Sequence, residues 1–370
     1  MLNMHLSATF DRRAVVLGGL AGAAVATGWP RGARAATDLI WLGWQGYEGC
    51  LKAGSFLQDH DLSLSTTFIN ANEDILAKFQ AGGADQTDLI TIYFGYVPIL
   101  AEAGYLAPID ESLPGIADIL PELTTNQALR HEGKLYGVPF TWGSLQMMYD
   151  PAVVATTPAS WKECLKPEYK GKVLMINDPV GIVSVWAPIV AGASVPTRIT
   201  ADQLRQTIDF LIDMKRNQAR AMATSFGEGA DMFARNEVVI SAIGWEAMVG
   251  FAAAKGKKIA MTVPEEGTQM FVDCLCVPSG APHPEQAAAA VSACLAPAGQ
   301  LAIANELDQA IVNRAAVPQL DAENRATYRY GDFAELTKKA RLYPFFPLEP
   351  EGGFVTYDGM LQEYERLLKA

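Results

Sequence analysis

The chain has 370 residues, half of them hydrophobic, with 41 acidic against 29 basic side chains and a formal net charge of −12. So acidic a chain repels nucleic acid and anionic membrane surfaces, which argues against both as partners, and its field weakly favours cationic ligands. The length exceeds what one ordinary hydrophobic core serves, so two lobes are the default expectation.

The chain opens on Asp11-Arg12-Arg13, then a mild apolar run from Ala14 to Gly28, then Ala33-Arg34-Ala35 as a small-x-small cut. This is the pattern of a secretory signal. The paired arginines and weak hydrophobicity resemble the twin-arginine type, which carries folded chains across the bacterial inner membrane. An apolar run of about 15 residues is too short to span a bilayer, which takes about 20. Residues 1–35 are therefore expected to be cleaved, leaving a periplasmic chain from Ala36. Four arginines and Asp11 leave with the signal, so the net charge falls from −12 to about −15.

Beyond the signal, strand-like and helix-like segments alternate. Asp38 to Gly43 reads as a strand, Gly49 to Asp59 as a helix, and Ser63 to Ile69 as a second strand. Asn72 to Gln80 opens with cap-type residues and has apolar 3.6 spacing, which predicts a helix. Asp88 to Ile92 is a third strand, and Val97 to Ala103 a helix closed by Gly104. This rhythm predicts an α/β layer with a largely parallel sheet, where ligands gather beyond the carboxyl ends of strands. A second series follows: strand Gly171 to Ile176 ending at Asn177-Asp178-Pro179, helix Ala201 to Lys215, and strand Glu237 to Ile243 ending at Gly244-Trp245. Then come strand Gln269 to Val277, helix Pro284 to Leu307, and a last helix from about Thr356 to Leu368. No linker separates the series, which predicts lobes joined by several crossings. The expected division is 36–143 with about 275–320 for lobe 1, and 144–274 with about 321–370 for lobe 2.

Several strand ends deliver aromatic and acidic groups together: Trp44 and Tyr47, Tyr93 to Tyr96, Asp178, and Trp245-Glu246. Phe271 and Asp273 stand two apart on one strand, so they share a face. Rings attract a cation by about 0.5–2 kcal/mol each, and hydrogen bonds to a charged partner are worth about 1.5–3 kcal/mol. The combination suits an ammonium group. A lone tryptophan after a strand more often serves as core or lobe-interface packing, Asp178 can serve as a helix cap, and Glu246 as a cap or a solvated acid. Asp273 is different, because a carboxylate inside an apolar strand is costly without a partner.

Cys50, Cys164, Cys274, Cys276 and Cys294 form an odd set, so at least one thiol stays free unless it pairs between chains. Cys274 and Cys276 would face one side of a strand as small apolar residues. With His60, His131 and His283 scattered, no metal site is expected. There is no Gly-x-Ser-x-Gly, phosphate loop, His-Glu-x-x-His or dinucleotide fingerprint, so neither catalysis nor a cofactor is expected. Paired acids keep an exported hydrolase as the enzyme rival.

With these residues in view, the mature chain resembles bacterial extracellular solute-binding proteins of the spermidine/putrescine-binding type. The resemblance lies in five ordered segments: Asp88 to Asp110, Lys134 to Gly143, Ser160 to Asp178, Ile243 to Trp245, and Pro264 to Pro282. It implies a two-lobed α/β periplasmic-binding fold of type II, with a hinge and an interlobe cleft, and an inner-membrane ABC permease as partner. By motif position, Trp44, Asp178, Trp245 and Asp273 match cleft positions that contact the polyamine in that family. Phe271 and Tyr47 match aromatic cleft positions, and Ser225 a polar one.

There are departures. Gly181 stands where spermidine binders commonly carry an acid, Gly95 where relatives often have Tyr, and Gly46 where an acid is usual. Fewer carboxylates imply a shorter or singly charged amine, and Tyr93 with Phe94 adds aromatic area suited to a diamine or a quaternary ammonium. The expected protein is a monomeric receptor that traps a cationic amine, putrescine or a related polyamine, by lobe closure. The rivals within this role are a quaternary amine, an opine or another small amine, or a sensor using the same cleft.

Overall fold

The computed structural model describes residues 36–69 and 72–370; the expected leader, 1–35, lies outside the described residues. Strand Thr37–Gly43 pairs in parallel with Leu62–Phe68 on one side and with Leu89–Tyr93 on the other. That follows from helical segments between these strands, since parallel neighbours need a crossover. The sheet does not stay parallel. Strand Thr268–Cys276 enters between Leu89–Tyr93 and Val138–Ser144, antiparallel to both. It returns from the other half of the molecule and enters from the opposite end, so the sheet expected to be largely parallel is mixed. Ala310–Ile311 adds to its far edge, and Ala340–Arg341 pairs with the start of the returning strand.

A second sheet runs in the order Ala260–Thr262, Met147–Tyr149, Ile240–Ser241, Val173–Ile176 and Ala219–Ala223. Each sheet has its own core. Trp41, Phe140 and Trp142 are fully buried in the first, and Trp161, Trp186 and Phe233 in the second. Burial of each such side chain is worth about 1.5–3 kcal/mol or more, so each half has its own hydrophobic support.

The chain crosses between the halves three times: from Ser144 to Leu145, between Thr262 and Thr268, and from Phe345 to Phe346. The expected boundaries shift accordingly. Position 274 falls inside a strand paired wholly with the first sheet, and Tyr328, Phe333 and Leu336, expected in lobe 2, pack in the first core. The second half resumes only at Phe346, with helix Tyr357–Lys369 packing there through Met360, Tyr364 and Leu367.

Other elements depart locally. The helix expected over 49–59 is two short turns, Gly49–Lys52 and Phe56–Asp59, interrupted at Gly54-Ser55. The helix expected over 284–307 breaks into Pro284–Leu295 and Pro297–Leu307, because Pro297 lacks the donor an unbroken helix needs. The strand expected over 237–243 shortens to Ile240–Ser241, with Val239 and Ala242 still hydrogen-bonded to its neighbours. By contrast, helix Ala201–Asn217 starts as its sequence dictates, with Thr200 and Gln203 forming a capping box. Among the described residues no single helix is long and apolar enough to cross a membrane.

Candidate functional site

A cavity of about 660 Å³ lies where the two halves face each other. Trp44, Tyr47, Tyr93, Asp178, Ser225, Trp245, Phe271 and Asp273 all line it. The first half supplies two strand ends and one face of a third strand. Trp44 follows Thr37–Gly43, its backbone N–H donating to Thr91 Oγ1 at 3.3 Å. Tyr93 ends Leu89–Tyr93 and sits directly across from Asp273 in the antiparallel register. Along the returning strand, Gln269, Phe271 and Asp273 alternate onto the cavity face, while Met270 and Val272 enter the core.

Asp273 is the most buried acid in the cavity. It is 8 % exposed, and its carboxylate accepts the Tyr47 hydroxyl at 2.7 Å. Burial pushes its carboxyl up to about 6, and the Tyr47 hydrogen bond only partly opposes this. Tyr47 is held in turn by an edge-to-face contact with Phe140 at 5.5 Å. Burial and the neighbouring carboxylate push its phenol well above the usual range, so it remains a donor.

The second half presents caps. Asp178 is half-buried and accepts the Gly181 N–H at 2.9 Å, capping helix Pro179–Ala191. Burial raises its carboxyl, and that cap hydrogen bond lowers it. Ser225 is exposed and accepts the Glu228 N–H at 3.1 Å, capping helix Phe226–Ala234. Trp245 meets Phe226, Phe251 and Phe271 edge-on at 5.8–6.1 Å. Its indole nitrogen is buried without a hydrogen-bond partner, as is Gln269 Oε1, and both residues line the cavity.

Two residues do not sit where the sequence suggested. Phe94, expected to add cleft aromatic area, is fully buried in the first core, and Tyr96 faces the cavity in its place. Glu246 lies beneath the cavity, fully buried, and accepts Ser144 N–H at 2.9 Å and Gln146 Nε2 at 2.9 Å, as well as the Ser144 hydroxyl. It ties the end of the strand Val138–Ser144 to the second half, next to a crossing.

Sequence reasoning missed Glu73, which accepts the hydroxyls of Tyr96 at 2.7 Å and Tyr357 at 2.5 Å. It stands in the first turn of helix Glu73–Gln80, where an acid is ordinary and signals nothing. Gln269 was also missed, although its two-residue spacing from Phe271 was a usable signal.

The three glycine departures have steric causes. A Cβ at Gly181 would lie 2.2 Å from Asp178 Oδ2, so the cap leaves no room for a side chain. A Cβ at Gly95 would lie 2.7 Å from that of Phe345, whose ring lines the cavity. Gly46 has φ +94°, a conformation that excludes most side chains, and faces Leu307.

The cavity lining therefore carries the carboxylates of Glu73, Asp178 and Asp273, at least nine aromatic rings, and no Lys, Arg or His among the described residues. An adjoining hollow of about 530 Å³ shares Trp44, Tyr47 and Trp245 and adds Glu306 and Asp308. Among the described residues no cluster of His, Cys, Asp or Glu is placed to hold a metal ion.

The profile of the bacterial extracellular solute-binding protein family matches residues 55–326. The chain is 24% identical over 287 residues to the spermidine/putrescine-binding periplasmic protein of Escherichia coli strain K12, covering 77% of this chain and 80% of that one. It is 26% identical over 292 residues to the putrescine/agmatine-binding protein of Pseudomonas aeruginosa, covering 72% and 75% respectively. In fold it is similar to a spermidine/putrescine ABC transporter substrate-binding protein of Streptococcus pneumoniae, with TM-score 0.72 and 20% identity, covering 90% of this chain and 98% of that one.

Proposed function

The chain belongs to the bacterial extracellular solute-binding protein family, and from that premise we propose that it captures a short cationic amine, putrescine or a near relative, between its two halves. The captured amine is then handed to an inner-membrane ABC permease. The observation that carries this reading is the charge of the lining: carboxylates of Glu73, Asp178 and Asp273, with no cationic side chain among the described residues. An anionic or zwitterionic ligand would leave its carboxylate facing these acids unpaired, which burial penalises heavily. The names of the E. coli and P. aeruginosa relatives, which bind spermidine/putrescine and putrescine/agmatine, point to the same chemistry.

In this mechanism one ammonium sits against Asp273 beside the unpartnered Gln269 Oε1, and rings of Trp44, Tyr93, Trp245 and Phe271 cover the methylenes. Asp178 approaches the second ammonium with the oxygen not used by its helix cap. Closure of one half on the other removes water and strengthens these ion pairs.

A quaternary ammonium is the second reading, favoured by the aromatic lining, which can cage a bulky cation. A thermal-shift screen of ligand-stripped mature protein separates the two. Ligand at 100 times its dissociation constant adds about 2.7 kcal/mol of stability, a shift of several degrees. Shifts with putrescine, cadaverine or agmatine support the reading, and shifts confined to choline-like amines favour the second. A response to carboxylate ligands alone would sink both.

A further inference from the structure

Cleft chemistry uses none of the five cysteines, yet the fold brings two of them together. Cys50 sits in the short helix Gly49–Lys52 and Cys294 near the end of helix Pro284–Leu295. They are 244 residues apart in sequence, and their sulfurs lie 2.7 Å apart. Their exposures are 1 % and 0 %. Uncombined thiol sulfurs pack further apart than this, so the fold places the two atoms within reach of a bond.

The backbone on both sides is held in place independently of the sulfurs. The Cys50 N–H donates to the Tyr47 carbonyl at 3.3 Å, and Gly49 approaches Glu306 so closely that a Cβ there would lie 2.8 Å from its carboxylate. The Cys294 carbonyl accepts the buried Gln300 Nε2 at 3.0 Å, and Asn313 Nδ2 donates to the next carbonyl, Leu295, at 2.7 Å. The Cys294 segment is thus anchored by side chains from beyond its own helix, and the Cys50 turn lies close against helix Pro297–Leu307 at Gly49.

The other cysteines have no such arrangement. Cys164 donates its thiol to the Trp161 carbonyl at 3.2 Å. Cys274 and Cys276 share one face of strand Thr268–Cys276. Residues two apart on a strand are about 6.8 Å apart, whereas the Cβ atoms of a disulfide stand about 3.8 Å apart.

We propose that Cys50 and Cys294 form a disulfide in the exported protein. Each thiol gives up its proton and one electron, and an S–S bond forms between the two Sγ atoms. An oxidant protein carrying a disulfide accepts both electrons and both protons, and its own S–S bond opens to two thiols. The extracellular placement of the family puts the chain where such oxidants act and disulfides persist. Because both sulfurs are buried and the expected export route carries folded chains, the exchange takes place on local opening of the short helix Gly49–Lys52 after export, and the finished bond is shielded from reductants.

The cross-link bears on the cleft through a short path. Helix Gly49–Lys52 directly follows Trp44 to Tyr47, and the Tyr47 hydroxyl holds Asp273. Joined to helix Pro284–Leu295, the helix pins the carboxyl-terminal end of the loop that presents both aromatics. The inference does not depend on which ligand the cleft takes.

The test is a thiol count on mature protein recovered after export, denatured in guanidinium with Ellman's reagent. Three free thiols are expected. Five would overturn the proposal. Alkylation, digestion without reductant and mass spectrometry should recover one linked peptide pair, Cys50 with Cys294, and any other pairing would also overturn it. Protein refolded in reductant should melt about 5 °C or more below the oxidised form, and the Cys50→Ser/Cys294→Ser double variant should melt the same with or without reductant. Equal melting of oxidised and reduced wild type would remove the stabilising role. This wild-type comparison stands even if the double variant fails to fold.

Discussion

The two walls of the cavity hold their acids in opposite ways. In the first wall Asp273 lies mid-strand, buried, with one neutral donor, the Tyr47 hydroxyl. In the second, Asp178 sits at a helix start, half-buried, with one oxygen already taken by the Gly181 N–H. A capped carboxylate has a structural use without any ligand. A mid-strand carboxylate with a single phenol partner has none, and its burial destabilises the empty protein. The pairing of Tyr47 with Asp273 is therefore read as a charge kept in waiting for a cation, and the second wall as a cover with a weaker charge of its own. Glu73, engaged by two tyrosines from different parts of the chain, joins the walls at their edge.

The sharpest way to break this contrast is Asp273→Asn. It should weaken binding of a diamine by about 10- to 150-fold, the worth of one charge-assisted hydrogen bond, measured by calorimetry at pH 7.5. The same change should raise the melting temperature of the empty protein, a trade of function for stability. A variant with wild-type affinity would remove Asp273 from the site.

Next in size is the pH dependence. The folded protein holds the Asp273 proton up to about 6, whereas the unfolded chain loses it near 4. Stability of the empty protein from this group therefore falls as pH rises between about 4 and 6, by on the order of 3 kcal/mol. Ligand binding runs the other way, losing up to about tenfold per pH unit below 6 as the carboxylate takes its proton. Affinity that is flat between pH 4.5 and 7.5 would contradict the assignment.

On the second wall, Gly181→Ala should destabilise by about 1–3 kcal/mol, because the added methyl displaces the Asp178 carboxylate. Chemical denaturation would measure it, and a neutral result would mean the helix start yields easily. Asp178→Ala should cost about 1 kcal/mol through loss of the cap, while Asp178→Asn keeps the cap and should weaken the amine by only about three- to tenfold. If Asp178→Asn costs more affinity than Asp273→Asn, the ranking of the two walls is reversed. The smallest effect expected is for Trp245→Phe, about two- to fivefold in affinity, consistent with one cation–π contact exchanged for a weaker one.

Much of the cavity lining was legible before the fold. Asp273 announced itself as a carboxylate inside Met270 to Val277, an otherwise apolar strand, and the alternation of strands placed Phe271 on the same face. Tyr93 ends a paired strand and Trp44, Asp178 and Trp245 follow others, where α/β folds gather ligands, and all four line the cavity. Phe94 was misplaced because the chain turns tightly after Tyr93, and the strand period that would carry it outward stops there. Glu73 left no mark, since its partner Tyr357 lies 284 residues away.

The sequence by itself determined the local faces: which residues of a strand share a side, and where helices begin at Thr200 or Asp178; the break at Pro297 is equally local, although the expected helix ran through it. These follow from backbone sterics and from hydrogen bonds within a few residues, so nearby residues suffice to specify them. Tertiary structure alone decided the rest. It set strand Thr268–Cys276 antiparallel within the first sheet, moved the last crossing to Phe345–Phe346, and brought Cys50 to Cys294. Those outcomes depend on which apolar faces bury one another across hundreds of residues, and periodicity along the chain carries no record of that choice.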